Sequence, residues 1–183
     1  MNKGDQVPMN IRFVFRQGDN APEDGGCPIG GEFVHRTSQE LFANKRVIVF
    51  SLPGAYTPTC STQQLPGFEK NYEVFKKQGI DEIYVASVND AFVMNAWAQH
   101  LGVERVRVLP DGNGEFASSL GCLADFSSVG FGMRSKRFAV ILDDGVVEQA
   151  FVEPDATEMN TDPYGASAPE TVLAYLETQA VTA

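Results

Sequence analysis

The stretch "RVIVFSLPGAYTPTCST", residues 46–62, decides how the rest of the chain is read. Its opening "RVIVFSL" is a continuous apolar run suited to a buried strand, and the Pro-Gly pair that follows turns the chain. Pro58 suits a first helical turn, which puts Cys60 where a helix begins. Beyond it, Leu65, Phe68, Tyr72 and Phe75 recur at helical spacing and Gly79 closes the segment. This pattern predicts one helix over 59–77 with one buried face. A thiol at the start of that helix lies beside backbone N–H groups with no intrahelical partner, at the positive end of the helix dipole. Such a position favours the anionic form of a thiol.

Outward from this unit, strand and helix patterns alternate. "IRFVF" (11–15) alternates as a strand, and "QGDNAPEDGGCPIGGEF" (17–33) is a loop or hairpin connection rich in Gly, Pro and Asp. "IDEIYVASV" (80–88) is a strand, "DAFVMNAWAQHL" (90–101) a helix ending before Gly102, and "VRVLP" (106–110) a short strand. "KRFAVILDDGVVEQAFVE" (136–153) reads as a hairpin about Asp144 and Gly145, and "PETVLAYLETQA" (169–180) as a terminal helix with Pro169 in its first turn. Alternating strands and helices, then a hairpin and a helix, predict an α/β thioredoxin-like fold, a central mixed sheet flanked by helices. With 183 residues, 43% of them hydrophobic, the chain has material for one sizeable core, so 1–183 reads as a single domain.

A formal net charge of −10 argues against nucleic acid or an anionic membrane as partner, since both require a positive field. No apolar run approaches the ~20 residues of a membrane span, and "MNKGDQVPMNIRFVF" lacks a basic region followed by a long apolar segment. A cytoplasmic protein is the expectation. Three widely spaced cysteines, Cys27, Cys60 and Cys122, form neither a disulfide framework nor a Cys-x-x-Cys or Cys/His zinc pattern.

Pro53-x-x-x-Thr57-x-x-Cys60 places a hydroxyl one helical turn before the sulfur, within expected hydrogen-bonding reach. The usual fate of a lone thiol is a structural core position, but the strand-to-helix turn with Pro, Gly and Thr upstream favours chemistry here. At these residues the chain resembles the peroxiredoxins, and within them the peroxiredoxin 5 or type II subfamily. "PGAYTPTCS" is similar to the family's active-site signature. "LPGFEKNYEVFKKQGIDEIYVASVNDAFVMNAW" and "GFGMRSKRFAVILDDG" resemble subfamily segments, the second carrying its arginine. The resemblance runs from about residue 46 to 153 and continues more weakly to the terminal helix. It implies an active-site set of Pro53, Thr57, Cys60 and Arg137, with Arg134 as the rival arginine, and backbone N–H groups of Gly54 and Cys60 as further donors. Tyr56 stands where Phe is more usual, its ring expected to line the pocket.

The implied reaction is thiol-dependent reduction of hydrogen peroxide and organic hydroperoxides through a Cys60 sulfenic acid, with no metal, flavin or haem. Because a more acidic thiol is also a weaker nucleophile, acidity alone gives little rate. Donors aimed at the peroxide oxygens, from Thr57 and Arg137, must stabilise the developing charge. Neither place where relatives carry a resolving cysteine holds one here, and Cys122 reads as core while Cys27 stays a minor candidate. One-cysteine chemistry follows, with glutathione and glutaredoxin, or thioredoxin, as reductant. Subfamily resemblance also implies a homodimer with Phe92 at the contact. His35 and His100 lie in no recognisable motif, and "EPDATEMNTDPYG" (153–165) reads as a solvated acidic loop. Two rivals remain: a thioredoxin-fold disulfide oxidoreductase, although Thr57 occupies the place of the first cysteine of a pair, and a non-catalytic chaperone or binding module.

Overall fold

The computed structural model describes residues 1–20, 29–154 and 162–182. In chain order β1 (Arg12–Gln17) and β2 (Glu32–Thr37) pair antiparallel, and α1 (Ser38–Phe42) follows at once. Thr37 starts that helix by a reciprocal cap with Glu40, each satisfying a backbone N–H of the other. Next come β3 (Arg46–Ser51), a widened π-helical turn (Cys60–Gln64), α2 (Leu65–Lys70) and α3 (Tyr72–Lys77). β4 (Glu82–Ser87), α4 (Ala91–His100), β5 (Arg107–Pro110) and α5 (Glu115–Ser119) complete the alternating half. A small hairpin of β6 (Leu123–Asp125) and β7 (Met133–Ser135) leads to β8 (Phe138–Asp143), β9 (Val146–Val152) and α6 (Pro169–Thr182).

The central sheet has five strands in the order β5-β4-β3-β8-β9. β3, β4 and β5 run parallel, and β8 joins β3 antiparallel, so the sheet is mixed as the pattern predicted. Side chains alternate across it with the period of two that strands impose. Ile48, Phe50, Ile83, Val85, Ala139 and Ile141 face one apolar layer, closed by Phe68, Phe75, Met94, Trp97, Val172 and Leu176 of the helices. Val47, Val49, Tyr84, Val140 and Leu142 face the other, which Phe13, Phe42 and Phe116 close. The turn at Asp144 and Gly145 has φ of 50° and 76°, the left-handed pair that a two-residue hairpin needs. Among the described residues no helix is long and apolar enough to cross a membrane.

The single helix expected over 59–77 is in fact three pieces. Pro66 lacks the N–H that would continue the ladder and its ring crowds the carbonyl four residues back. The turn before it widens, and Leu65 N–H donates to the Cys60 carbonyl five residues earlier. A second break falls at Asn71, which ends α2 and precedes α3. Sequence periodicity does not separate these pieces, because their buried residues Leu65, Phe68 and Phe75 still share one face.

Candidate active site

β3 ends beneath the Pro-Gly turn, and the chain re-enters helix so that Cys60 is the first residue of the widened turn, in the layer that also holds Trp97. The cysteine is 0% exposed. Arg137, at the junction of β7 and β8, brings Nη1 to 3.4 Å from Cys60 Sγ and to 2.6 Å from Gln64 Oε1. Nη2 of the same guanidinium donates to Asp162 Oδ1 at 2.6 Å. Its Nε is buried with no acceptor among the described residues. Tyr164 lays its ring 5.9 Å from the guanidinium carbon. Burial pulls the Arg137 guanidinium down, but the Cys60 sulfur and the Asp162 carboxylate outweigh it, so the group is held above its ordinary value. It is a permanent cation only 4% exposed.

Arg134 is elsewhere. Its Nε donates to the Phe131 carbonyl and Nη1 to the Val88 carbonyl, with its guanidinium over the Phe131 ring. Of the two arginines, Arg137 is therefore the neighbour of the sulfur.

Thr57 departs from expectation. Its hydroxyl donates to the Gly54 carbonyl at 2.8 Å, closing the turn on itself, instead of to the sulfur one helical turn on. With its proton committed, the oxygen offers lone pairs and not a donor. The same turn is held from outside by Asn89, whose Oδ1 accepts from Ala55 N–H at 3.1 Å and from Ser87 Oγ at 2.8 Å. Pro53 is partly buried beside this turn. Tyr56 sits at φ 61° and is 54% exposed, its ring packed against His100 on the surface, so the expected pocket-lining role is not what the ring does. His35 is exposed on β2.

Four contributors carried no signal beforehand. Gln64 is fully buried between Arg137 and Ser167, the latter two residues before α6, and its Nε2 approaches Ser167 Oγ at 3.5 Å. Ser61 accepts from the Trp97 indole at 2.9 Å, tying the turn to α4. Glu153 overturns the reading of 153–165 as a solvated loop at its first residue, whereas Asp162, although bonded to Arg137, is exposed as that reading expects. Glu153 is buried and Oε1 accepts from Gly165 N–H, Ser167 N–H and Ser167 Oγ, each at 2.8 Å. Burial raises the Glu153 carboxyl, yet these donors win and hold it below the usual range. Residues 155–161, like Cys27, lie outside the described residues. Cys122 is buried in the opposite layer, its thiol donating to the Leu120 carbonyl at 3.6 Å. Among the described residues no three His, Cys, Asp or Glu side chains gather as a metal site.

The sulfur of Cys60 thus lies buried against a permanent cation, at a helix start behind a tight turn. Residues 16–167 match the Redoxin family model, and the chain is 54% identical over 173 residues to Peroxiredoxin y4vD of Sinorhizobium fredii, covering 94% of this chain and 92% of that one. The chain belongs to the peroxiredoxins. This peroxiredoxin superposes on the crystal structure of reduced Prx3 from Vibrio vulnificus in complex with H2O2 with a TM-score of 0.83, at 36% identity and covering 98% of both chains. On peroxiredoxin 5 from Alvinella pompejana the TM-score is 0.74, at 26% identity, covering 98% of this chain and 99% of that one. The thioredoxin-like fold and the family resemblance read from "PGAYTPTCS" both hold, and thiol-dependent peroxidase activity goes with the family.

Proposed function

We propose that Cys60 is the thiol that attacks the peroxide and that Arg137, Thr57, Pro53 and the backbone of Gly54 form the site around it. The observation that carries this reading is the 3.4 Å contact between Arg137 Nη1 and Cys60 Sγ, made by a guanidinium buried with it. The thiolate attacks one peroxide oxygen in line, the S–O bond forms as the O–O bond breaks, and the departing oxygen takes a proton to leave as water or an alcohol. Arg137 complements negative charge on sulfur and then on the departing oxygen, and its Nε is a donor still to be satisfied. Thr57 Oγ, its own proton given to Gly54, accepts from the peroxide O–H and orients it. Pro53 shields the thiolate from bulk water. Complete burial of the sulfur favours small peroxides that enter as the site opens locally.

One-cysteine turnover is the reading for the second half. Cys60 and Cys122 lie in apolar layers on opposite sides of one sheet, which supports an external thiol as reductant. Glutathione with glutaredoxin, or alternatively thioredoxin, condenses with the sulfenic acid, releasing water and leaving a mixed disulfide that a second thiol reduces. Two further readings rest on surface and thiols. Phe92, 37% exposed, meets Phe33 edge-to-face at 5.9 Å with the Arg16 guanidinium over both rings, an apolar patch suited to a homodimer contact. Cysteines outside a disulfide framework suit the cytoplasm, and one domain spanning 1–183 suits two layers sharing one sheet.

Trp97, the one tryptophan, hydrogen-bonds Ser61 next to Cys60 and so provides an intrinsic probe. Stopped-flow fluorescence with hydrogen peroxide should show a second-order change that is absent in Cys60→Ser. Mass spectrometry after one equivalent of peroxide should then find Cys60 as sulfenic acid, or as its adduct when glutathione is present. A stoichiometric Cys60–Cys27 or Cys60–Cys122 disulfide would overturn the one-cysteine reading.

A further inference from the structure

Of the polar side chains buried in this molecule, four form one line that ends at the reactive sulfur: Glu153, Ser167, Gln64 and Arg137. Each link has a fixed polarity. Glu153 Oε1 accepts from both the backbone N–H and the hydroxyl of Ser167 at 2.8 Å, so the Ser167 proton is committed to the carboxylate. Ser167 Oγ then has only lone pairs to offer, and Gln64 Nε2 meets it at 3.5 Å as the donor. With its NH2 turned to Ser167, Gln64 must present Oε1 to the other side. There it meets Arg137 Nη1 at 2.6 Å, a group that can only donate. The line closes on itself in the backbone, since Glu153 N–H donates to the Arg137 carbonyl at 3.1 Å.

We infer that Glu153 and Ser167 are positioning residues for the peroxidatic site: by fixing which end of the Gln64 amide faces Arg137, they hold Nη1 on the Cys60 sulfur. The inference rests on the peroxidase reading of Cys60 and Arg137 and extends it to a chain of residues reaching the start of α6. An amide has two ends of nearly the same shape, and only its neighbours decide which is which. If the flipped orientation were populated, an NH2 would face the donor-only guanidinium. Arg137 would then retreat from the position it needs. Misplacing a donor about a reacting centre costs rate steeply. Glu153 belongs to a segment whose composition reads as solvated and acidic, yet it is buried, as is Ser167.

The test is a set of substitutions in the full chain, read by the second-order rate of Cys60 oxidation from Trp97 fluorescence, with thermal unfolding followed alongside. Ser167→Ala and Glu153→Gln should each slow oxidation about tenfold or more. The decisive arm uses Gln64→Glu, whose two oxygens are both acceptors, so that there is no wrong end to present. In that background Ser167→Ala should change the rate less than about twofold, a non-additivity that general loosening of α6 would not produce. If Ser167→Ala slows oxidation equally in the unaltered protein and in the Gln64→Glu background, the effect is structural and the inference falls. It falls also if Ser167→Ala leaves the rate of the protein with Gln64 intact unchanged. Absence of any peroxide-dependent oxidation in the unsubstituted protein would instead sink the peroxidase reading itself, a separate outcome.

Discussion

Cys60 and Cys122 occupy opposite faces of the same sheet, each buried, and they differ in the direction of the hydrogen bond at sulfur. Cys122 donates to the Leu120 carbonyl, a bond that requires the proton to stay on the sulfur. Cys60 accepts from the Arg137 guanidinium, so its sulfur faces a buried cation. Burial is common to both, so burial does not separate the thiol proposed to react from the other. What separates them is a buried cation, and the cost of burying that cation is offset by Gln64, Asp162 and the sulfur itself.

The largest effect that sharpens this contrast is loss of the sulfur. Cys60→Ser should abolish peroxide reduction, whereas Cys122→Ser should leave the oxidation rate unchanged within about twofold while lowering stability by about 1 kcal/mol, as small core changes do. Peroxide turnover surviving in Cys60→Ser would end the distinction. Next comes the cation. Arg137→Met should slow Cys60 oxidation on the order of a hundredfold or more, the size expected when one preorganised donor is lost, and Thr57→Val should act in the same direction. Near-normal stopped-flow rates in Arg137→Met would mean that the buried cation is not what distinguishes the two thiols.

A smaller effect concerns what covers the cation. Asp162 is bonded to Arg137, yet its side chain is 50% exposed, so it stands between the guanidinium and solvent. Its carboxylate, on a chain of net charge −10, should disfavour anionic oxidants. Asp162→Asn should therefore raise the rate with a carboxylate-bearing hydroperoxide about fivefold relative to hydrogen peroxide, a gain that salt reduces. An unchanged ratio between the two oxidants would remove Asp162 from any part in selectivity.

The two sides of the contrast are unequally legible in the sequence. The Cys60 side announces itself, because a strand, a Pro-Gly turn and a helix start are each coded by local residue types, and "KRF" supplies the arginine. The supports of that arginine do not. Gln64 looks like any polar residue at a helix surface, and only the widened turn forced by Pro66 accompanies its place inside the protein. Glu153 and Asp162 share a segment whose composition reads as solvated. Their partners, Ser167 and Arg137, are brought to them by tertiary packing that no local pattern encodes. Thr57 misleads for a related reason: spacing places its hydroxyl near the sulfur, but in the tight turn it donates to the Gly54 carbonyl.

The smallest expected effect lies on the Cys122 side, at the buried carboxyl of Asp111. Its oxygens accept from Phe116 N–H at 3.0 Å and Ala117 N–H at 2.9 Å, starting α5, whose Ala117 carbonyl in turn receives the Cys122 N–H at 2.8 Å. Burial outweighs these donors and pushes the Asp111 carboxyl up from 3.8 to about 6. The folded state therefore binds this proton more tightly than the unfolded chain does. Its contribution to stability is fully present below the ordinary carboxyl range and is lost as pH rises through about 6. Asp111→Asn cannot titrate, so urea unfolding should show the unsubstituted protein gaining about 1 kcal/mol on the variant between about pH 7 and about pH 5. Cys60 oxidation at neutral pH should be the same in both, since Phe116 and Cys122 belong to the other layer. A constant stability difference across that interval would mean that Asp111 is ionised throughout in the fold, and a changed oxidation rate would mean that the two faces of the sheet are not independent.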